Sequence, residues 1–517
     1  MDRKIRIFNS VFIIFIFSVL NFIFSILLQV FLASLFGTKI EMDAYVVAMI
    51  VPMIISNQII SFEVVIVPTL KNYSIKQDNG KLNNLISIIF NLLGLVLLLI
   101  SILGILFAKK LIPLFVPGFS ASAKELVRVL FCIMLPSIIF SGLSAFLKSV
   151  YYFEEKYTLP SLAPVVNIAV IIITALVLNS AMGIRSIAWG VLFASIFQFL
   201  ILFPHLLFKR QYSFILDIKH KELIKIGKKL SYLGIGSVFL GLILILEKFF
   251  ASWLPEGSIA ILGYAGKFAS LIVMLPSTAI PTIFLPQLST CYALNDINKL
   301  RYLLSQAIRM TFLCILPPIV LLAVFRVPFV ELLLQRGAFD AAAVNNTALA
   351  MVCYLGLFFA MAVGRVVAIG YFAVHETRIP SLLMVITFLL YIFLAPLFSF
   401  LFSFKGLAFA FSSACVISLI GDIWFLRKLL NGIDGSRMLN SFFKIGFCSL
   451  IMGLTAFLIF KNLPAFSLKG GNFVLALRMV VSILIGFFAF NVICFALRVD
   501  ELRLAYELTT LRIKKLF

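Results

Sequence analysis

Residues Phe8–Thr38 read FNSVFIIFIFSVLNFIFSILLQVFLASLFGT, thirty-one positions without a charge. A helix needs about 20 apolar residues to cross a bilayer, and this stretch exceeds that. Comparable stretches recur about fourteen times, at 10–36, 44–70, 84–108, 128–147, 158–179, 186–207, 230–252, 258–286, 303–325, 343–370, 379–402, 405–426, 440–461 and 472–498. Hydrophobic residues make up 63% of the chain and charged ones 12%, far from a soluble composition. Backbone groups in lipid have to be bonded within the segment, so the spans are expected to be helices. The fold class expected is an all-α polytopic membrane protein. The first apolar run is too long for a signal-peptide core and lacks a clear cleavage site, so it is kept as span 1.

A net charge of +22 raises nucleic acid as a partner, but the placement of the charges argues against it. Basic residues concentrate in alternate loops, the positive-inside pattern. With the N-terminus cytoplasmic, about 27 Lys and Arg fall inside and about 11 outside. Both termini are then expected in the cytoplasm, and a bacterial inner membrane fits. One segment, Lys109 to Arg128, is more basic than an outer loop should be. The seven cysteines are scattered singly, and the three histidines (His205, His220, His375) lie apart. No metal or cofactor is expected. No P-loop, nucleotide-binding domain or Ser/His/Asp set appears, so the chain is not expected to be an enzyme.

The second six spans repeat the first six at an offset of roughly 218–220 residues. Ala33-Ser34 recurs as Ala251-Ser252, and Pro68-Thr69-Leu70 as Pro286-Gln287-Leu288. Gly118-Phe119 is echoed by Gly337-Ala338-Phe339. Tyr151-Tyr152-Phe153 and Pro160-Ser161-Leu162 recur as Gly370-Tyr371-Phe372 and Pro380-Ser381-Leu382. Six spans per copy is even, so both copies enter from the same side and form a parallel repeat. The expected organisation is an N-lobe (1–210), a basic linker (211–229), a C-lobe (230–430), and two added spans with a tail (431–517). Paired lobes of this kind are transporter architecture, with binding expected at their interface and alternating access by rocking.

A charge at mid-bilayer costs about 2.5–3.5 kcal/mol on insertion scales, so it needs a cavity, a partner or a route to the surface. Candidates are Glu63, Glu247, Lys248, Lys267, Arg365 and Arg478. Lys267 and Arg365 are the deepest cations. They either receive an anionic substrate or pair within the protein, for instance with Glu63. Glu247 and Lys248 lie near the outer surface, and Arg478 reads as an anchor. The amides and hydroxyls Asn21, Gln29, Ser56, Asn57 and Gln58 need partners in lipid. They serve as interhelical contacts or line a cavity.

Leu35-Phe36-Gly37 with Met42-Asp43-Ala44-Tyr45 resembles the first periplasmic turn of the MviN/MurJ lipid II flippases. Phe284 to Ser289 resembles their span 8 exit. Leu333-Leu334-Gln335-Arg336-Gly337-Ala338-Phe339-Asp340 is similar to the family's most recognisable stretch, and Tyr371-Phe372-Ala373 through Thr377-Arg378 to the segment that comes after it in the family. The resemblance covers most of the chain, and the wider group is the multidrug, oligosaccharidyl-lipid and polysaccharide exporter superfamily. It implies translocation of an undecaprenyl-pyrophosphate-linked saccharide, cavity arginines that hold the pyrophosphate, and a groove near spans 13–14 for the polyprenyl tail.

The chain departs from that pattern in spans 1 and 2. The family's two span 1 arginines fall at about Phe22 and Leu28, its aspartate at Gln29, and the span 2 arginine pair at about Ser56-Asn57. Lys267 stands where the family has Arg, and Arg365 falls near a basic position of span 10. The substrate-binding set expected is Lys267, Arg365, Glu63, Asn21, Gln29, Ser56 and Asn57, with Asp43 in the turn motif. The reading is a lipid II flippase, with membrane lipids and cell-wall or glycan-synthesis enzymes as its expected surroundings. The alternatives are a flippase for another lipid-linked oligosaccharide, a cation-coupled exporter using Glu63, and a scaffold recruiting enzymes through the basic segment 209–229.

Overall fold

The computed structural model describes residues 2–76, 79–210, 212–272, 276–376, 378–463 and 471–503. Among them there is no strand, and the chain forms two compact units, 1–260 with 336–339 and 261–335 with 340–517. Among the described residues, eleven helices are long and apolar enough to cross a membrane. The remaining apolar helices supply the other expected crossings, and the chain is a multi-pass membrane protein.

The first unit contains α1 (Asp2–Phe36), α2 (Ile40–Lys76), α3 (Asn79–Phe115), α4 (Ala121–Met134), α5 (Ser137–Phe153), α6 (Thr158–Met182), α7 (Arg185–Lys209) and α8 (Lys221–Ala251). One core cluster joins α2, α3, α5 and α7 through Ile66, Leu70, Leu85, Phe146 and Leu202, all buried. One side of α3 keeps Leu99, Leu103 and Leu106 at least half exposed, as a lipid-facing surface should. The segment after α7 is stitched down: Asn91 donates to the carbonyls of Ser213 (3.2 Å) and Ile215 (3.0 Å), and Tyr212 donates to Asn91 (2.6 Å). Because α8 begins at Lys221, much of the basic stretch 209–229 is helix or bonded to α3.

α9 (Ser258–Ala269) begins at the edge of the first unit and continues into the second, where a 3₁₀ turn at Ser270–Ile272 comes next. The second unit then holds α10 (Pro276–Ala293), α11 (Ile297–Val324), α12 (Arg326–Leu334), α13 (Ala341–Ala373), α14 (Arg378–Phe402), α15 (Phe404–Leu429), α16 (Gly435–Asn462) and α17 (Gly471–Ala496). The added pair α16–α17 packs through α16 against α11 and through α17 against α12.

The internal repeat reappears in bonding detail, with each copy inside its own unit. Tyr151 Oη donates to the Leu202 carbonyl (3.3 Å), and Tyr371 Oη, 220 residues later, to that of Asp422 (2.7 Å). Ser120 caps α4 through the Ala123 amide, and Asp340 caps α13 through that of Ala343. The left-handed residues Glu155 and His375 are spaced the same way, as are Gly183 and Ser403. On this register α13 matches α4 and α5 together. Span 4 therefore extends beyond 128–147 to Ala121–Phe153, with a break at Leu135–Pro136.

That extension explains the over-basic segment. Lys109 and Lys110 belong to α3, while Lys124 and Arg128 lie on α4. Lys124 Nζ donates to the Pro117 carbonyl at 2.8 Å, and Arg128 pairs with Glu125. Two of the four charges are thus spent locally.

Candidate functional site

Lys267 sits in the last turn of α9 and Arg365 three-quarters along α13, both in the second unit. Both are exposed, and among the described residues neither cation has a side-chain hydrogen bond or ion pair. Their relative depth is set by packing. A Cβ on Gly266 would lie 3.6 Å from the Tyr354 ring, which sets α9 beside α13 at that level. Arg365 is eleven residues further on, roughly 16 Å along the axis and only about 20° around it. Met361 and Phe372 flank Arg365 on the same exposed stripe. The second unit thus offers two unneutralised cations at two depths, which suits an elongated anionic group.

In the first unit, Asn21 and Gln29 are half-buried on α1. Asn21 Oδ1 is shielded from solvent and has no hydrogen-bond partner among the described residues. The two are eight residues, about 80°, apart around the helix, so they do not share one line. Ser56 is engaged with Ser141 of α5, Oγ to Oγ 3.4 Å. It ties α2 to α5, one of the two roles open to it. The side chains of Asn57, Gln58 and Glu63 lie outside the described residues.

Asp43 is buried and does structural work. Its carboxylate accepts from the Gly257 amide (Oδ2, 2.7 Å) and the Ala260 amide (Oδ1, 2.7 Å). It therefore caps the first turn of α9, where amides lack partners within the helix. Glu256 returns the contact by accepting from the Ile40 amide at the start of α2 (2.8 Å). The Gly337-Ala338 stretch joins the same region of the first unit, with the Ala338 amide donating to the Ser34 carbonyl at 2.9 Å. The two motif stretches that carry the family resemblance thus meet in one knot of helix ends.

The other charged candidates have partners in the protein. Glu247 and Lys248 are adjacent, yet Lys248 Nζ folds back to Glu247 Oε1 at 2.6 Å, and both are buried. They form a neutralised pair. Arg478 is a local anchor: it donates to the Phe460 carbonyl (2.6 Å) and lies over the Phe460 ring (4.7 Å).

Sequence reading did not single out two networks. Arg309 of α11 is buried and pairs with Glu501, which also accepts from Ser441 Oγ at 2.8 Å. The available signal was a cation seven residues inside span 9. The second network centres on Glu154, just past α5, which meets Lys156, His205 Nε2 (2.8 Å) and Arg210 Nε (2.7 Å). Burial pushes the Glu154 carboxyl up, but the hydrogen bonds with Lys156 and His205 and the Arg210 charge outweigh it and hold it down at about 2. A depressed carboxylate stabilises the fold above its ordinary value near 4.5, and that contribution is lost as the pH falls toward about 2. Glu154→Gln should therefore flatten the fall in melting temperature across that window in detergent. An unchanged acid slope would contradict this assignment.

The model of the family described as lipid II flippase MurJ matches residues 32–490. A probable lipid II flippase MurJ from Buchnera aphidicola subsp. Schizaphis graminum is 28% identical, covering 90% of this chain and 92% of its own. Lipid II flippase MurJ of Thermosipho africanus is 27% identical, with 82% and 85% covered. That of Burkholderia cenocepacia is 25% identical, with 70% and 73% covered. Among solved structures, lipid II flippase MurJ in an inward closed conformation superposes with a TM-score of 0.77 at 23% identity, covering 93% of this chain and 99% of that one. An inward-facing multidrug resistance MATE family transporter of the MOP superfamily gives 0.67 at 14% identity, covering 80% and 94%. At these identities the structural likeness concerns the fold, and it is the match across residues 32–490 that decides kinship: the chain belongs to the lipid II flippase MurJ family.

Proposed function

We propose that this chain translocates lipid II across the bacterial cytoplasmic membrane by alternating access, with both termini in the cytoplasm. The observation that carries the reading is the pair of exposed, unneutralised cations Lys267 on α9 and Arg365 on α13 in a chain of this family. Leaving a cation without a counter-ion at membrane depth is costly, and a pyrophosphate-bearing head group repays that cost by binding. The polyprenyl tail stays outside in a groove toward α16 and α17. The expected lobes are 1–210 and 230–430, joined by 211–229, with the added segment 431–517 after them. No chemical step is needed, because the head group crosses unchanged.

The absence of arginine from spans 1 and 2 favours one second reading, a related polyprenyl-linked saccharide with a weaker demand for cations. Both readings are separated by expressing the chain in cells depleted of their own lipid II flippase. Growth with wild type and failure with Lys267→Ala is the expected result. A well-expressed wild type that does not restore growth would exclude lipid II and leave the related saccharide.

A further inference from the structure

Apart from Lys267 and the exposed stripe of α13, a cavity of about 180 Å³ opens in the second unit. It lies where α11, the first turn of α16 and the segment after α17 come together. Tyr302, Gln306, Arg309, Arg437, Asp500 and Glu501 line it. Its back wall is buried and bonded. Arg309 is 7% exposed and Glu501 3%, the two are paired, and Ser441 completes the acceptor. Arg309 Nε remains buried without a partner, an unspent donor in a place where such groups are normally satisfied.

The mouth carries both signs of charge. Arg437 has its nearest carboxylate, Asp434, at 3.9 Å, beyond hydrogen-bond reach. Among the described residues, the Asp500 carboxylate, the Tyr302 hydroxyl and the Gln306 amide have no hydrogen-bond partner. A purely anionic ligand would meet Asp500 and Glu501, and a purely cationic one would meet two arginines. A ligand with a phosphate and an ammonium a few ångströms apart satisfies every group. At about 180 Å³ the cavity has room for a small headgroup.

Two placements identify the source of that chemistry. Lys299, Arg301, Arg437 and Arg498 lie at the ends of the same helices, and under the topology proposed above this is the inner membrane boundary. From two residues beyond Arg437, α16 presents Leu439, Phe443, Phe447 and Leu450, each more than half exposed and stacked at helical spacing. Acyl chains anchored at the mouth would lie along that stripe.

We propose that this cavity holds the headgroup of a zwitterionic aminophospholipid of the inner leaflet. The phosphodiester sits on Arg437, Gln306 and Tyr302 with Arg309 behind it, and the ammonium sits on Asp500. The lipid clasps α16 and α17 to α11. The inference uses the proposed topology only to name the leaflet and is independent of which lipid is transported.

The test is native mass spectrometry of the full chain with phosphatidylethanolamine, phosphatidylcholine and phosphatidylglycerol of identical acyl chains. Phosphatidylethanolamine should be retained about tenfold better than the other two, the worth of one charge-assisted hydrogen bond. Arg437→Ala and Asp500→Asn should each lower its retention to the phosphatidylcholine level. Both residues are at the mouth and not in the buried pair, and an unchanged melting temperature in phosphatidylcholine confirms that the variants fold. Soluble glycerophosphoethanolamine should compete poorly, and competition at equal concentration would make this a site for a soluble metabolite and overturn the lipid assignment. Equal retention of all three lipids, or unchanged retention in both variants, would overturn the site. Preference for phosphatidylglycerol would overturn the role given to the ammonium.

Discussion

Replacing Lys267 and Arg365 together with alanine is expected to abolish rescue of cells depleted of their lipid II flippase, at wild-type expression. Each cation in a charge-assisted hydrogen bond contributes about 1.5–3 kcal/mol. The two stand roughly 16 Å apart along the bundle, far enough for their effects to add. The double loss is then about 3–6 kcal/mol, on the order of 10² to 10⁴ in head-group affinity. Folding should be untouched, because both side chains are exposed and neither has a partner among the described residues to lose. The conservative exchanges separate charge from shape. Lys267→Arg supplies a bidentate fork in place of a point charge and should keep or raise activity. Arg365→Lys keeps the charge, loses the fork and should retain only part of it. Full rescue by the double alanine variant would remove these residues from the substrate path.

Most of the architecture is legible in the sequence because a membrane imposes it locally. A span needs only its own residues to announce itself, and the fourteen apolar runs reappear as helices or as broken helix pairs. The repeat is legible too, since Tyr151 and Tyr371 occupy matching positions and make matching bonds. What stays hidden is pairing across the chain. Asp43 and Gly257 are 214 residues apart, Arg309 and Glu501 192. Nothing in the local composition of either partner names the other. The buried Arg309 was countable as a charge inside span 9, but its meaning lay in the segment after α17. The motif stretches behave similarly. Their resemblance to a family is visible in the letters, whereas their work in joining helix ends appears only when Ser34, Asp43, Gly257 and Ala338 are placed together.

That joining predicts the second large effect. Gly257→Ala is expected to remove most folded protein from the membrane, and Gly337→Ala to do so comparably. Gly257 has φ +85°, and a Cβ there would stand 2.2 Å from the Thr38 carbonyl oxygen. Gly337 has φ +59° and would place its Cβ 2.2 Å from the Ser34 carbonyl oxygen. Left-handed backbone costs a side-chain-bearing residue about 1–2 kcal/mol. The clash is with backbone and cannot be relieved by a rotamer, so the turn has to move. At Gly257 that movement also pulls its amide from Asp43, a charge-assisted bond worth about 1.5–3 kcal/mol. The total is on the order of 3–5 kcal/mol for Gly257, a large part of a typical folding free energy. Asp43→Ala tests the same knot without steric strain and should cost less than Gly257→Ala, because the amides lose their acceptor while the turn keeps its shape. Gly446→Ala is the matched control. It lies inside α16 with nothing within 4 Å of the new methyl, and alanine there should be neutral or stabilising by up to ~1 kcal/mol. The readouts are yield of monodisperse protein and melting temperature in detergent. A Gly257→Ala variant that melts with the wild type would show that the knot yields cheaply, and the cap from Asp43 would then have to be counted as incidental to the fold.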